Sequence, residues 1–258
     1  ARLRRTVLGV LDVGGIFINR QTTDGPSDYN RSWGVDANLR LGPSLKFHSY
    51  LAQTHDQGLT GDNRAARLSV AWRDALWNVS ALYRTIGDAF RPEVGFVRRT
   101  AVRHYYATVG VHPQSGLEQV NEFNPYVTVD RFTDLDGALE TRNVTGALAV
   151  AFLDGGTLTL QRTARFESLS SDFTLSGGGV PAGRYDFTEN SLRYVASAAR
   201  ILSGQLRFSG GGYFQGERRS VGGSVVWRPS AHISLNVGAD HNVVELTGAP
   251  FTVDVFSG

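Results

Sequence analysis

Residues 62–85 read DNRAARLSVAWRDALWNVSALYRT, two runs of apolar–polar alternation that meet at a three-residue turn. Ala66, Leu68, Val70 and Trp72 share one side, and Arg67, Ser69, Ala71 and Arg73 the other. Beyond Arg73-Asp74-Ala75 the pattern resumes, with Trp77, Val79, Ala81 and Tyr83 against Asn78, Ser80, Leu82 and Arg84. Successive side chains of a strand point to opposite faces, so a period of two predicts a hairpin with one greasy and one wet face. Trp72 and Trp77 flank the turn on the greasy side. Aromatics beside a tight turn are what a membrane-spanning hairpin places at the lipid–water interface. The pattern predicts an all-β chain, an antiparallel transmembrane β-barrel.

The alternation recurs along the chain. Trp33, Val35, Ala37, Leu39 and Leu41 oppose Asp36, Asn38 and Arg40; Leu45, Phe47 and Leu51 oppose Lys46, His48, Tyr50 and Thr54. Tyr105, Ala107 and Val109 oppose His104, Tyr106 and Thr108, and later runs carry Leu158 and Leu160, Leu206 and Phe208, then Val221, Val225 and Trp227. Residues 6–19 read as one opening strand whose register Gly14-Gly15 blurs, and 188–200 carry apolar side chains on both faces. This makes about 14 segments of about ten residues, the length a tilted strand needs to cross a bilayer core.

Every second connection is short (42–44, 73–75, 112–116, 153–156, 201–204, 228–231), while others, such as 20–31, 55–63, 87–99 and 168–187, are longer and polar. Sorting of loops by parity suits an outer-membrane barrel and has no cause in a soluble sandwich. Trp72, Trp77, Phe152 and Trp227 border short turns, as one interfacial girdle; Trp33 and Tyr83 belong to the other. A soluble lipocalin-type barrel uses about eight strands, and no composition shift divides the chain, so residues 1–258 read as a single barrel domain. The last run, FTVDVFSG, starts as a strand and stops short of a crossing, which predicts further C-terminal strands in the full protein.

Composition narrows the classes. No apolar run exceeds 147–153, so a transmembrane helix is excluded. Cysteine is absent, which removes disulfides and thiolate metal sites, and a net charge of +2 gives no reason to expect nucleic acid. With neither a methionine nor a signal peptide, the sequence reads as a mature or excised fragment.

The string IGDAFRPEVGFVRR at 86–99 resembles a recurring motif of an uncharacterised bacterial outer-membrane family, in which a domain like the family-nine carbohydrate-binding modules precedes a C-terminal β-barrel of unknown function. LRRTVLGVLDVGGIFINR, WGVDANLRL, GLTGDNRAARLSVAW, GRYDFTEN and GGYFQGERRSVGG follow that family's barrel in order. The resemblance implies the bacterial outer membrane and the barrel fold, without an activity. The family's carbohydrate-binding-like domain has no counterpart in these residues, and its barrel continues past the position of Gly258.

The wet faces carry Asp36, Arg40, Lys46, His48, Arg67, Arg73, Arg84, His104, Arg165 and Arg207, predicted to line the lumen. An open lumen with this positive excess favours anionic solutes; a closed one uses the same charges as internal pairs. In the loop 87–99, Phe90, Arg91, Glu93, Phe96, Arg98 and Arg99 either fold inward as a constriction or docking site, or hold a structured hairpin loop. Arginine-rich rims also suit lipopolysaccharide phosphates.

No catalytic, metal or cofactor site is expected. The six histidines are spread along the chain, with His104 and His112 eight positions apart, G-x-S-x-G is absent, and Asp240 and His241, as neighbours on a strand, point to opposite faces. The expected function is an outer-membrane pore or transport and docking platform for saccharides or anionic solutes. Its partners are outer-membrane lipid and lipopolysaccharide, a carbohydrate-binding domain or other subunits. The alternatives are a closed barrel that anchors such a domain and, behind it, an outer-membrane hydrolase.

Overall fold

A computed structural model describes residues 1–23, 28–175, 178–246 and 250–258; within them are 17 strands and no helix. Residues 24–27 of the connection 20–31 and 176–177 of 168–187 lie outside the described residues. The chain divides into two compact units, Ala1–Val109 with Asp130–Glu140, and Gly110–Val129 with Thr141–Gly258.

The first unit contains β1 (Arg2–Val7), β2 (Leu11–Gln21), β3 (Tyr29–Leu41), β4 (Leu45–Asp56), β5 (Arg64–Arg73), β6 (Trp77–Ile86) and β7 (Val102–Val111) as far as Val109. From β1 to β6 each strand pairs antiparallel with its neighbour in the chain. The opening run is therefore two strands, not one. Leu8 (φ 53°) and Gly9 (φ 69°) both take the left-handed conformation that a type I′ hairpin turn requires, and the Val10 N–H donates to the Val7 carbonyl. Gly14, expected to blur the register, sits inside β2, where a Cβ would come within 2.6 Å of the Asp36 carboxylate. The β5–β6 hairpin turns at residues 74–76, one position later than expected. Asp74 fixes it by accepting the Leu76 and Trp77 N–H groups at 2.8 and 2.6 Å.

Burial inverts the rule of soluble proteins. Val13, Phe17, Val35, Leu51, Leu68, Trp72, Tyr83 and Val109 share one face and are 38–59 % exposed. Asn30, Thr54 and Ala65, on the other face, are at most 2 % exposed. Register aligns Asp36, Tyr50, Arg67 and Arg84 across β3–β6 on that second, polar face.

The second unit contains β8 (Val120–Thr133) up to Val129, β9 (Leu139–Phe152) from Thr141, β10 (Thr157–Leu169), β13 (Gly183–Val195), β14 (Leu202–Tyr213), β15 (Gly216–Ser230), β16 (Ile233–Glu245) and β17 (Phe251–Ser257). Its antiparallel pairing runs β9-β10-β13-β14-β15-β16-β17. β11 (Phe173–Leu175) and β12 (Gly178–Val180) form a separate hairpin within the connection between β10 and β13. Here too the apolar face is exposed, with Leu160, Leu206, Val221, Trp227 and Val237 at 47–67 %. The ambiguous stretch resolves by register. Leu192 and Tyr194 share the apolar face with Leu160 and Leu158, and Ser191 and Arg193 face the other way.

Short connections recur at 42–44, 74–76, 153–156 and 231–232, and longer ones at 57–63, 87–101 and 170–182. The connections expected at 112–116 and 201–204 lie at 112–119 and 196–201, longer than expected, and parity fails at 134–138 and 214–215. Asp134 ties the first into a compact turn through the Asp136 and Ala138 N–H groups, and Phe214, at φ 52°, closes the second. Buried residues are few and gather where long connections meet the polar face. Ala65, Ile86 and Val102 form one such cluster; Val180, Val244 and Leu246 form the other.

Candidate functional site

In the first unit the polar face carries Asp36, Arg40, Lys46, His48, Arg67, Arg73, Arg84 and His104, all on the side opposite the exposed apolar residues. Asp36 accepts from Arg2 at 3.1 Å. Arg40 stands directly across from Lys46, and Arg67 directly across from Arg84. Like charges directly opposite on paired strands destabilise a sheet unless something neutralises them.

The second of these pairs is the more confined. The Nε atoms of Arg67 and Arg84 are both buried and have no hydrogen-bond partner. Among the described residues neither guanidinium meets a carboxylate. Arg84 instead reaches His104 Nδ1 at 3.3 Å. Nδ1 accepts from a guanidinium, so the ring proton sits on Nε2, which donates to Asp130 at 2.5 Å. The His104 ring lies flat on Phe132, with centroids 4.1 Å apart. Asp130 is therefore engaged by histidine, and the Nε donors of the two arginines are left unused.

The connection 87–101 folds onto this polar face. The buried Asn30 side chain donates to the Arg91 carbonyl at 2.8 Å and also to Asp56, and its oxygen accepts from the Glu93 N–H at 3.4 Å. Thr54 Oγ1, fully buried, accepts from the Arg91 N–H at 3.0 Å. Glu93 pairs with Arg20, and Arg99 with Glu140 at 2.6 Å. Phe90 and Val97 pack on Ala65, Ile86 and Val102, together with Tyr50 and Phe132. Phe96 projects free at 89 % exposure, and Arg91 and Arg98 are exposed. Between this loop and residues 56–60 lies a polar cleft of about 690 Å³. The loop lies on the polar face of its own unit and is internally braced, as the reading of a structured hairpin loop expects.

The polar face of the second unit is built differently. Arg165 and Arg218 close on Glu189 at 3.0 and 2.7 Å, and Arg207 pairs with Asp240 at 2.6 Å. These five residues line a cleft of about 420 Å³. Asp240 and His241 do point to opposite faces, and His241 bonds Asp254 at 2.7 Å. The connection 170–182 packs by apolar contact, with Phe173 and Leu175 against Val180, Val244, Leu246, Tyr213 and Phe214.

The aromatics chosen as interfacial, Trp33, Trp72, Trp77, Tyr83 and Trp227, all lie on the apolar face at 38–47 % exposure. Trp72 donates its indole N–H to Asp74 at 2.7 Å, and Tyr83 packs 5.2 Å from Tyr105. Sequence reasoning missed Asn30, Glu189 and Arg218. Glu189 falls in the stretch whose face it left open, and Asn30 lies in a segment read as loop. Among the described residues no three His, Asp or Glu side chains are grouped to hold a metal.

No protein-family model matches the sequence, and no curated protein sequence does. Solved structures do. The outer membrane protein OpdK of Pseudomonas aeruginosa superposes with a TM-score of 0.56 at 12 % identity, over 95 % of this chain and 78 % of that one. OccK9 (OpdG) of the same organism gives 0.55 at 13 % identity, over 95 % and 73 %. OpdK with vanillate gives 0.53 at 13 %, over 95 % and 76 %. With its antiparallel strands and exposed apolar face, the chain has the fold of an outer-membrane β-barrel.

Proposed function

We propose that the protein is an outer-membrane pore that passes small anionic solutes, with Arg67 and Arg84 as its anion-selecting pair and the loop 87–101 as its constriction. The observation that carries this reading is the pair itself. Two guanidiniums face each other across β5 and β6 with buried, unsatisfied Nε–H groups, and among the described residues neither pairs with a carboxylate. Their planar forks suit carboxylate or phosphate, whose charge would cancel the repulsion. A passing anion needs attraction strong enough to enter and weak enough to leave. Two half-exposed arginines lined up with Asp36 and Tyr50 meet that condition better than an enclosed pocket. Vanillate, present with OpdK, is an aromatic carboxylate, and small carboxylates are the first solutes to try. The likeness of 86–99 to a family whose barrel follows a carbohydrate-binding-like domain adds acidic saccharides to the set, and makes the rim a docking place for such a domain.

The test is the reversal potential of the protein in a planar bilayer under a KCl gradient. The expected result is a preference for chloride that Arg67→Gln with Arg84→Gln lowers several-fold. A barrel that inserts without conducting would favour the closed anchoring role instead.

A further inference from the structure

On the exposed apolar face of the second unit a shallow groove of about 810 Å³ crosses β9, β10, β13, β14 and β15. Strand register sets Gly146, Arg162, Asn190, Gly210 and Arg219 in one row across it. The next row, towards the connection 153–156, is wholly apolar: Leu148, Leu160, Leu192, Phe208 and Val221. The glycines leave the floor open. A Cβ on Gly146 would meet nothing within 4 Å, and one on Gly210 nothing nearer than 3.7 Å.

Arginine on a face that meets lipid is costly unless it reaches the headgroup layer or finds a counter-charge. Arg162 is exposed and has no ion-pair or hydrogen-bond partner among the described residues. Arg219 has only Glu217, at 3.3 Å, with both side chains well exposed. Towards the connection 170–182 the same face adds Arg142, paired with Asp186 at 3.4 Å and held over the Phe166 ring, and the exposed Arg184. An apolar floor with a cationic edge is the surface that an acyl chain ending in a phosphorylated headgroup would cover.

We propose that this groove binds a phosphorylated glycolipid of the outer leaflet, lipopolysaccharide. An acyl chain lies along Leu148, Leu160 and Phe208, and phosphates sit on Arg162 and Arg219. The two arginines are three strand spacings apart, about 14 Å at about 4.8 Å per strand. That span lets each take one phosphate of a disaccharide phosphorylated at both ends, and a single-phosphate lipid would engage only one. A second copy of this chain is disfavoured, because a two-fold contact through this row would bring its arginines against their own counterparts. The inference rests on the outer-membrane placement of the pore reading but not on conduction.

Native mass spectrometry of the detergent-purified protein with lipid A, and separately with phosphatidylglycerol, tests it. Lipid A should bind at least tenfold more tightly than phosphatidylglycerol. Arg162→Gln with Arg219→Gln should remove that preference, and so should Gly146→Phe, which keeps both arginines and fills the floor. Bilayer conductance and ion preference of all variants should match the parent, so loss of the pore reading and loss of this one are told apart. Equal retention of the two lipids, lipid A binding unchanged in the double variant, or a dimer that the double variant splits would each overturn the proposal.

Discussion

Arg165 and Arg218 in the second unit close on a single carboxylate, Glu189, while Arg67 and Arg84 in the first face each other across paired strands with none. The residue type is the same and so is the face; what differs is the neighbour. Glu189 and Asp240 turn three arginines into cross-strand braces over β10, β13, β14, β15 and β16, and a braced guanidinium has few donors left for a passing solute. In the first unit the acid that might have served, Asp130, is held by His104. The long connections differ in the same sense. The loop 87–101 is latched by polar groups, Asn30 and Thr54, and 170–182 by apolar packing on Val244 and Leu246. Positive charge on a polar face is therefore not by itself a selectivity device. Under the proposed pore reading, the unneutralised part is.

Removal of the brace should give the largest effect. Glu189→Gln leaves Arg165 and Arg218 facing each other with one carboxylate fewer. Loss of one partner from a buried pair costs about 3–5 kcal/mol. Here the arginine side chains are about a third exposed, so a loss of about 2 kcal/mol is expected, read as a lowered urea midpoint for unfolding from detergent. The same variant should raise the chloride preference, because two arginines are released. Arg67→Gln should do the reverse, weakening the preference with stability equal to the parent or slightly above it. If both variants destabilise alike, the two units do not differ in the way argued.

The latch comes next. Asn30→Ala removes four hydrogen bonds from a residue 2 % exposed, two of them to the loop backbone at Arg91 and Glu93. At about 1 kcal/mol net for each bond the loop loses roughly 2 kcal/mol of local holding energy. Trypsin should then cut at Arg98 or Arg99 faster by an order of magnitude or more, and single-channel conductance should rise. A cut rate equal to the parent's would mean that Phe90 and Val97 hold the loop without the polar anchors. In 170–182 the side-chain ties to loop backbone, Gln215 to the Gly179 carbonyl at 2.8 Å and Tyr185 to the Pro181 carbonyl at 2.7 Å, are exposed, and Val180→Ala is the lesion that reaches its buried packing.

Much of the framework was legible, because alternation alone assigns faces. Trp33 and Val35 against Asp36, or Leu68 against Arg67, needed only a period of two, and the same rule separated Asp240 from His241. The Leu8–Gly9 turn was not legible, since leucine in a left-handed conformation is no turn signal and the run 6–19 has no break in its apolar character. The site was half legible. That Arg67 and Arg84 share a face follows from alternation; that they stand opposite each other depends on the register set by the Asp74 turn. That Glu189 is the brace depends on a strand whose two faces are both apolar in part. Asn30 and Arg91 are 61 positions apart, a contact that no local pattern carries.

The smallest expected effect is the most pointed, because it gives the first unit the logic of the second. Ser69 lies on the polar face of β5, two positions from Arg67, and its cross-strand partner Leu82 is two positions from Arg84. Ser69→Glu places a carboxylate beside one arginine and diagonal to the other, within reach of both long side chains. Pairing in this half-exposed setting is worth up to about 1 kcal/mol, so the unfolding midpoint should rise slightly. The chloride preference should fall nearly as far as in Arg67→Gln with Arg84→Gln. Measured in that double-glutamine background, the same substitution should do neither, since no guanidinium remains to neutralise. A carboxylate at 69 that lowers the preference equally in both backgrounds would act by its own charge, and the arginine pair would lose its place as the selecting element.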